Sequence, residues 1–330
     1  MPSSGALPDA LHQTIRGFQE SRAILTAIEL DLFSAVGRGA TAKEVGATIG
    51  GDARATEMLL NALVAIGLLD KRADTFSNSS TAMEYLAAGG PHDSRMALMH
   101  TVHLWETWSR LTDAVRAGTA PPKPAAWEAG PARTEAFIAA MHKNASERAA
   151  LVVRASGHAN PRRMLDIGGG SGAYAIAFAQ AYPDLQVEIL DVPSVTAIAE
   201  RHIAAAHLQD RVRTREGDMN TSALGSDYDV ILLSAICHML SPDANRALLA
   251  RCCAAMRSGG RLVIQDFLLD EAKTSPKAGA LFALNMLVGT AAGSAYSRQE
   301  YTSWLTEAGF ARVEHVSLPG PTGLMIGITR

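Results

Sequence analysis

Hydrophobic positions follow a helical period in the first third of the chain and give way to short apolar runs further on, so two kinds of architecture are expected. Ile15, Phe18, Ile24, Leu25, Ile28, Leu32 and Phe33 recur largely at helical spacing. Thr41 followed by Glu44 and Val45 has the form of a capping box, and Asp52 is placed to begin a helix running through Met58, Leu59, Leu60 and Leu63. Gly67-Leu68-Leu69-Asp70 and Thr75-Phe76-Ser77 read as the two strands of a wing, which makes residues 1–105 an otherwise all-helical, winged-helix domain. Two helices, 100–116 and 133–153, flank a Pro-rich break at Ala120-Pro121-Pro122-Lys123-Pro124 and connect this domain to the rest.

From residue 160 onward strands and helices alternate. Predicted strands lie at Leu165-Asp166-Ile167, 186–190, 211–215 and 229–234. The last contains Val230-Ile231-Leu232-Leu233, an unbroken apolar run of the kind found in a parallel sheet covered on both faces. A mostly apolar helix covers 281–288, and 312–317 with 324–329, around Pro319-Gly320-Pro321, read as a closing strand pair. The second domain, 106–330, is therefore an α/β sheet domain, with 106–160 as connecting helices over its edge.

A chain of 330 residues suits two domains of ordinary size. Its net charge of −3 gives no attraction to nucleic acid or to an anionic membrane. A winged helix elsewhere binds DNA, yet residues 1–90 hold 7 Lys and Arg against 10 Asp and Glu, and the helix after Asp52 carries Arg54 and Glu57 rather than a basic stripe. No apolar run is long enough to span a bilayer, and the first 20 residues carry no signal-peptide pattern, so a cytoplasmic protein is expected. Three cysteines, Cys237, Cys252 and Cys253, make neither a disulfide framework nor a metal cluster. Low charge and many Ala, Leu and Met residues leave apolar surface for a subunit contact to cover.

The chemistry starts at Leu165-Asp166-Ile167-Gly168-Gly169-Gly170-Ser171-Gly172, where an apolar strand ends in an acid and enters a glycine-rich turn. Glycine lets the backbone approach a ligand, and the helix over 173–181 presents its amino end to that ligand. Asp191 follows at the distance where an acid accepts both ribose hydroxyls, which suits NAD and S-adenosylmethionine equally. Glu216-Gly217-Asp218-Met219 places a carboxylate and a thioether at the end of the third strand, fit for an adenine amino group and ring face. Ser234 ends the fourth strand, and Cys237-His238 lies just beyond.

These landmarks, with Asp191-Val192-Pro193, Ser241-Pro242-Asp243 and Gly259-Gly260-Arg261-Leu262-Val263-Ile264, resemble the metal-independent small-molecule O-methyltransferases that use S-adenosylmethionine. That family includes the plant caffeate and flavonoid enzymes, acetylserotonin methyltransferase, and bacterial polyketide or pigment methyltransferases. The resemblance runs from about Ile15 to Arg330. It implies a Rossmann-like class I fold with a mostly parallel seven-stranded sheet, and a homodimer joined through the amino-terminal domain. It implies S-adenosylmethionine held by Asp166, Gly168, Gly170, Asp191, Val192, Asp218, Met219 and Ser234, and no metal. It places the acceptor against Phe137, Met141 and Met286, with Asn285 as a polar member of the same apolar helix that needs a partner. The general base falls on His238, supported by Asp266.

Methyl transfer to a phenol or alcohol removes its proton as the new bond forms, so a base beside the methyl group is useful. A phenol near pKa 10 facing an ordinary imidazole near 6.5 would lose its proton in advance only at a cost of roughly 5 kcal/mol, so proton removal should accompany transfer. A merely structural role for His238 would be to pack against the helix beginning near Pro242. His100, His103 and His142 lie on the connecting helices and are within reach of the pocket, although surface or packing roles are expected, and Trp105 and Trp108 divide evenly between packing and roofing the pocket.

The chain also departs from the plant pattern. Met239 stands where those enzymes have an acid, Asp266 replaces the first flanking glutamate, and Ala295 replaces the second. N-, S- or C-methylation, or a non-methylating reaction assisted by S-adenosylmethionine, stays open as the alternative. An NAD-dependent dehydrogenase is disfavoured because no Tyr-Lys or His-Arg pair suited to hydride transfer stands near the pocket.

Overall fold

Thr41 opens a helix as its spacing predicts: its hydroxyl accepts from the Glu44 amide at 3.3 Å, and the Glu44 carboxylate accepts from the Thr41 amide at 2.8 Å. The computed structural model describes residues 7–122 and 129–330, so Lys123 and Pro124 of the Pro-rich break lie outside the described residues. Two compact units emerge, Met1–Trp105 and Glu106–Arg330.

The first unit runs α1 (Asp9–Arg16), α2 (Phe18–Glu29), α3 (Leu32–Val36), β1 (Ala40–Thr41), α4 (Ala42–Ile49), α5 (Ala53–Ala65), β2 (Leu69–Arg72), β3 (Thr75–Asn78) and α6 (Ser80–Tyr85), and then enters α7 (Arg95–Trp108). Asp52 caps α5 by accepting from the Ala55 amide at 2.9 Å. The expected wing is present and is joined by a third strand, so the unit is mostly helical around an antiparallel sheet of order β1-β3-β2. Its core is built from Leu25, Ile28, Leu32, Phe33, Leu60, Leu63 and Phe76, and Trp105 packs against that core. Ile15 and Phe18 belong to the helical pattern but are exposed, as is Leu11.

The second unit continues with α8 (Leu111–Ala117), α9 (Pro131–Ser146), α10 (Ala149–Ala155), β4 (Arg163–Ile167), α11 (Ala173–Ala181), β5 (Gln186–Asp191), α12 (Pro193–Ala205), β6 (Val212–Glu216) and β7 (Tyr228–Ser234). A 3-10 turn (Cys237–Met239), α13 (Pro242–Ala255), β8 (Met256–Asp266), β9 (Leu268–Leu269), α14 (Lys277–Gly289), β10 (Tyr296–Ser297), α15 (Arg298–Glu307), β11 (Arg312–Ser317) and β12 (Gly323–Ile328) complete it. Each of the two long connecting helices is broken. One stops at Trp108 and resumes at Leu111; the other stops at Ser146 and resumes at Ala149, with Arg148 at φ −115 and ψ −14. Neither break holds a glycine or proline, so local sequence gives no warning; packing of α8 on α14 and of α10 on α11 sets them.

The seven-stranded sheet has the order β11-β12-β8-β7-β4-β5-β6. All neighbours are parallel except β12, which is antiparallel to both β8 and β11. Helices cover both faces, which is why Val230 to Leu233 can be apolar throughout and wholly buried. From β4 the chain builds outward through β5 and β6, then returns to place β7 on the other side of β4. The carboxyl ends of β4 and β7 therefore flank the switch point, where open α/β sheets leave a crevice for ligands.

Candidate active site

Both chemical segments leave the sheet at that crevice. The turn 168–172 follows β4, and the 3-10 turn carrying His238 follows β7. Gly168, Gly170 and Gly172 all have positive φ, at 66°, 59° and 77°. They serve different ends. A Cβ on Gly168 would lie 2.3 Å from Cδ1 of Ile236, so this glycine lets the two turns pack against one another. Gly169 has the same role toward the Asp166 carboxyl, 2.8 Å from its virtual Cβ. Gly170 has only Ile138 Cδ1, at 3.9 Å, nearby. Open space for a close ligand is thus beside Gly170.

Two acids frame that turn. The Asp191 carboxylate accepts from the Gly170 amide at 2.8 Å and from the Val192 amide at 2.7 Å, while burial pushes its pKa up. Asp166 is 1% exposed, and neither carboxyl oxygen has a partner within hydrogen-bonding geometry. Burial pushes Asp166 up to about 7; the charge of Asp191 adds to this, and the nearby Ala175 amide partly offsets it. An orphaned buried carboxyl below a glycine turn is a group waiting for a cationic or hydrogen-bonding ligand.

Across the crevice His238 and Asp266 form a buried pair. Nδ1 of His238 lies 2.7 Å from Oδ1 of Asp266, whose charge favours the tautomer with the proton on Nδ1. Oδ1 also accepts from the Phe267 amide at 2.8 Å. Oδ2 accepts from the His238 amide at 3.1 Å and from the Tyr301 hydroxyl at 3.1 Å. Burial, with Asp266 beside it, holds the Tyr301 phenol well above its usual range, so it stays a donor. The His238 ring meets the edge of Phe282 at 4.8 Å, and Phe282 stacks on Phe267 at 3.8 Å. Among the described residues Nε2 makes no hydrogen bond. Ala295 is fully buried and brings only a methyl group, so the distal oxygen of Asp266 is held by Tyr301 instead.

The remaining predicted residues fall into three places. Ser234, at the end of β7, donates to Oε1 of Gln265 at 2.7 Å. Asp218 turns its carboxylate onto Asn220, and the peptide oxygens of Met219 and Asn220 accept from Arg251 at 2.6 and 2.8 Å, which fixes this loop from behind. Phe137 packs with Val192, Ile138, Val195 and Ile198, on the Asp191 side of the crevice. Met141 is half-buried on the same helix, and Met286 is buried on α14. Asn285 accepts from the Trp108 indole at 2.9 Å, and Thr119 donates to the Ala291 carbonyl at 2.9 Å, so the 108–119 segment is pinned to α14 and to the loop that follows it.

Sequence reasoning missed several members. Nδ1 of His142 lies 2.8 Å from the Ser171 hydroxyl within the glycine turn, and its ring stacks on His202 at 4.2 Å. Burial depresses the pKa of both imidazoles, which keeps them neutral at pH 7. Tyr301, Gln265 and Arg251 also gave no local signal, because each acts on a residue far away in the chain. Among the described residues no three His, Cys, Asp or Glu side chains gather as a metal-holding group, and no helix is long and apolar enough to cross a membrane.

Residues 108–311 match the O-methyltransferase domain, and residues 12–88 match the O-methyltransferase dimerisation domain. The chain belongs to the O-methyltransferase family. This methyltransferase is 35% identical to the 3-hydroxy-5-methyl-1-naphthoate 3-O-methyltransferase of Streptomyces sahachiroi, over 99% of this chain and 97% of that one. It is 31% identical to the tetracenomycin polyketide synthesis 8-O-methyl transferase TcmO of Streptomyces glaucescens, over 97% and 96%. Its fold superposes on the solved structure of PigF with SAH with a TM-score of 0.90 at 28% identity, covering 98% of this chain and 100% of that one. In the methyltransferase the dimerisation domain and the catalytic domain correspond in sequence to the first and second compact units.

Proposed function

We propose that this methyltransferase transfers the methyl group of S-adenosylmethionine to a hydroxyl of a small aromatic or polyketide-like metabolite, with His238 as general base. The observation that carries this reading is the buried Asp266–His238 pair, which leaves Nε2 uncommitted on the turn after β7, the strand next to β4 with its orphaned Asp166 and open Gly170. Relatives acting on a hydroxynaphthoate and on a tetracenomycin polyketide support an acceptor of that type.

The residues present fit the methyl donor. Asp166 has two unpartnered oxygens for its cationic end, Gly170 leaves room for close backbone approach, and Asp191 with Val192 stands where the ribose would lie. Gly168 holds the turn in shape, while Asp218, Met219 and Ser234 line the adenine side and the strand end. When bound, S-adenosylmethionine supplies an electrophilic methyl group. Phe137, Met141, Asn285 and Met286 then hold the acceptor ring, and Nε2 of His238 takes the hydroxyl proton as the oxygen reacts. Asp266 holds the imidazole by its Nδ1–H and stabilises the cation that forms. Metal plays no part in this reading, since base and orienting acid are both side chains.

Asp166 gives a test that needs no acceptor. With a pKa of about 7, it is largely protonated at pH 6.5 and must lose that proton to meet a cationic amine. Binding of S-adenosylhomocysteine at pH 6.5 is expected to release most of one proton, and release should fade by pH 8, where the carboxyl is already ionised. Calorimetry in buffers of different ionisation enthalpy reads this directly. An uptake of protons, or no exchange at pH 6.5, would remove Asp166 from the donor site.

The quaternary reading is a homodimer in the cytoplasm. Leu11, Ile15 and Phe18 recur on one face of the α1–α2 segment and are about half exposed, inside or beside the matched dimerisation domain; a second copy of the chain is the occupant. Three unpaired cysteines fit a reducing compartment. Leu11→Glu combined with Ile15→Glu is expected to weaken the dimer at least about 100-fold, since each side chain would otherwise bury about 1.5–3 kcal/mol of apolar contact. Sedimentation equilibrium checks it, and an unchanged dimer would place the interface elsewhere.

A further inference from the structure

The turn that carries His238 follows a backbone course it would not take unaided. Ala235, which opens it, has φ +56°, a left-handed conformation that a residue with a Cβ keeps only where its surroundings impose it. Backbone contacts supply much of that constraint. The Ala235 amide donates to the Gln265 carbonyl at 2.9 Å, the His238 amide to Asp266 at 3.1 Å, and the Ser294 amide to the His238 carbonyl at 2.9 Å. Asn245, fully buried near the start of α13, adds a side-chain amide. Its NH2 group donates to the Cys237 carbonyl at 2.9 Å and makes a longer contact of 3.4 Å with the Leu240 carbonyl. Each of these carbonyls also has another donor, the Leu240 amide at 3.2 Å for Cys237 and the Tyr296 hydroxyl for Leu240. What Asn245 adds is therefore a tie between positions 237 and 240, across His238. The tie leaves Oδ1 of Asn245 buried with no partner among the described residues, because turning the amide over would set that oxygen against two carbonyl oxygens.

We infer that Asn245 is a positioning residue for the general base: it brackets the carbonyls on either side of His238 and so keeps Nδ1 of the ring 2.7 Å from Asp266, with Nε2 left for the acceptor. This rests on the reading of His238 as general base. A leucine would fill a similar volume without stranding a buried amide oxygen, so packing alone is a poor account of an asparagine here. Asn245 acts on His238 through the backbone, and its side-chain hydrogen bonds go to Cys237 and Leu240 rather than to any residue proposed for the donor or the acceptor. Its loss should accordingly lower the rate and spare binding.

The test reads the histidine ring directly. In full-length protein with 15N-labelled histidine, loaded with S-adenosylhomocysteine, the Nδ1–H signal of His238 is identified by its loss in His238→Ala. Asn245→Leu is expected to speed exchange of that hydrogen with water at least about 10-fold, because the turn opens more often. Single-turnover methylation of a hydroxynaphthoic acid should slow roughly 10- to 100-fold in the same variant, the cost of a base held about 1 Å out of place. Asn245→Asp keeps the shape but sets an oxygen against both carbonyls, and should disturb ring and rate more than leucine does. S-adenosylhomocysteine affinity within a few-fold of wild type shows that each variant is folded. A purely structural asparagine would lower Tm and leave the ring signal as it is in wild type. An unchanged ring signal in both variants, or wild-type turnover in both where His238→Ala is slow, would overturn the inference alone. Wild-type turnover in His238→Ala would instead overturn the general-base reading, and the role of Asn245 with it.

Discussion

Replacing His238 by alanine is expected to lower turnover about 10²- to 10⁴-fold while S-adenosylhomocysteine affinity stays within a few-fold of wild type. The split follows from geometry. His238 sits on the turn after β7 with Nδ1 committed to Asp266, and among the described residues none of its hydrogen bonds reaches Asp166, Gly170 or Asp191, the residues proposed for the donor. What the substitution removes is the imidazole that Asp266 holds by its Nδ1. A residual rate should persist, because holding the acceptor oxygen in line with the methyl group lowers the barrier independently of proton removal. Single-turnover kinetics with a phenolic acceptor, beside titration with S-adenosylhomocysteine, measures both quantities. Turnover within a few-fold of wild type would mean that His238 is structural and that the acceptor loses its proton by another route.

The second large effect is expected at Asp266, on stability as well as rate. One buried carboxylate accepts from the His238 ring, the His238 amide, the Phe267 amide and the Tyr301 hydroxyl. Asp266→Ala leaves all four donors buried without an acceptor, and a loss of about 3–5 kcal/mol is expected. For a domain of this size that corresponds to a fall in Tm of roughly 10 °C, readable by calorimetry. Asp266→Asn is the more informative variant. Its volume is the same, yet one side-chain oxygen becomes an NH2 group that must face the His238 amide or its ring, and the Nδ1 tautomer loses its anionic support. It should lower turnover at least about 100-fold with a smaller stability loss. A variant that is destabilised but turns over normally would reduce Asp266 to a packing element.

Tyr301 belongs to the same argument, although nothing in its surroundings along the chain marks it. The plant pattern suggests two carboxylates beside the histidine, and Ala295 at the second position looks like a missing support. In space the support is of another kind, a phenol that donates to the far oxygen of Asp266 from α15. The capping box of that helix, Ser297 with Glu300, is legible in the sequence, but the partner of a hydroxyl one turn later is not.

What the chain declares by itself is everything set by neighbours a few residues apart. The capping box at Thr41, the Asp52 cap, the strand at Asp166 running into glycines of positive φ, and the apolar run Val230 to Leu233 all depend on contacts within a turn or on alternation within a strand, so spacing is enough to find them. Strand order, helix breaks without glycine or proline, and side-chain partners depend on which strands become neighbours. His238 meets Asp266 across 28 residues because β7 and β8 lie side by side in parallel, so their carboxyl ends emerge together. Gly168 faces Ile236 because β4 and β7 are also neighbours, a packing reason for that glycine which spacing along the chain does not reveal. Trp108 reaches Asn285 across 177 residues. Local spacing therefore indicated an α/β sheet domain, and the resemblance to the family pointed to its type and to the candidate base, whereas the partners of His238, Asn285 and Gly168 were decided only when the sheet brought distant strand ends to one edge.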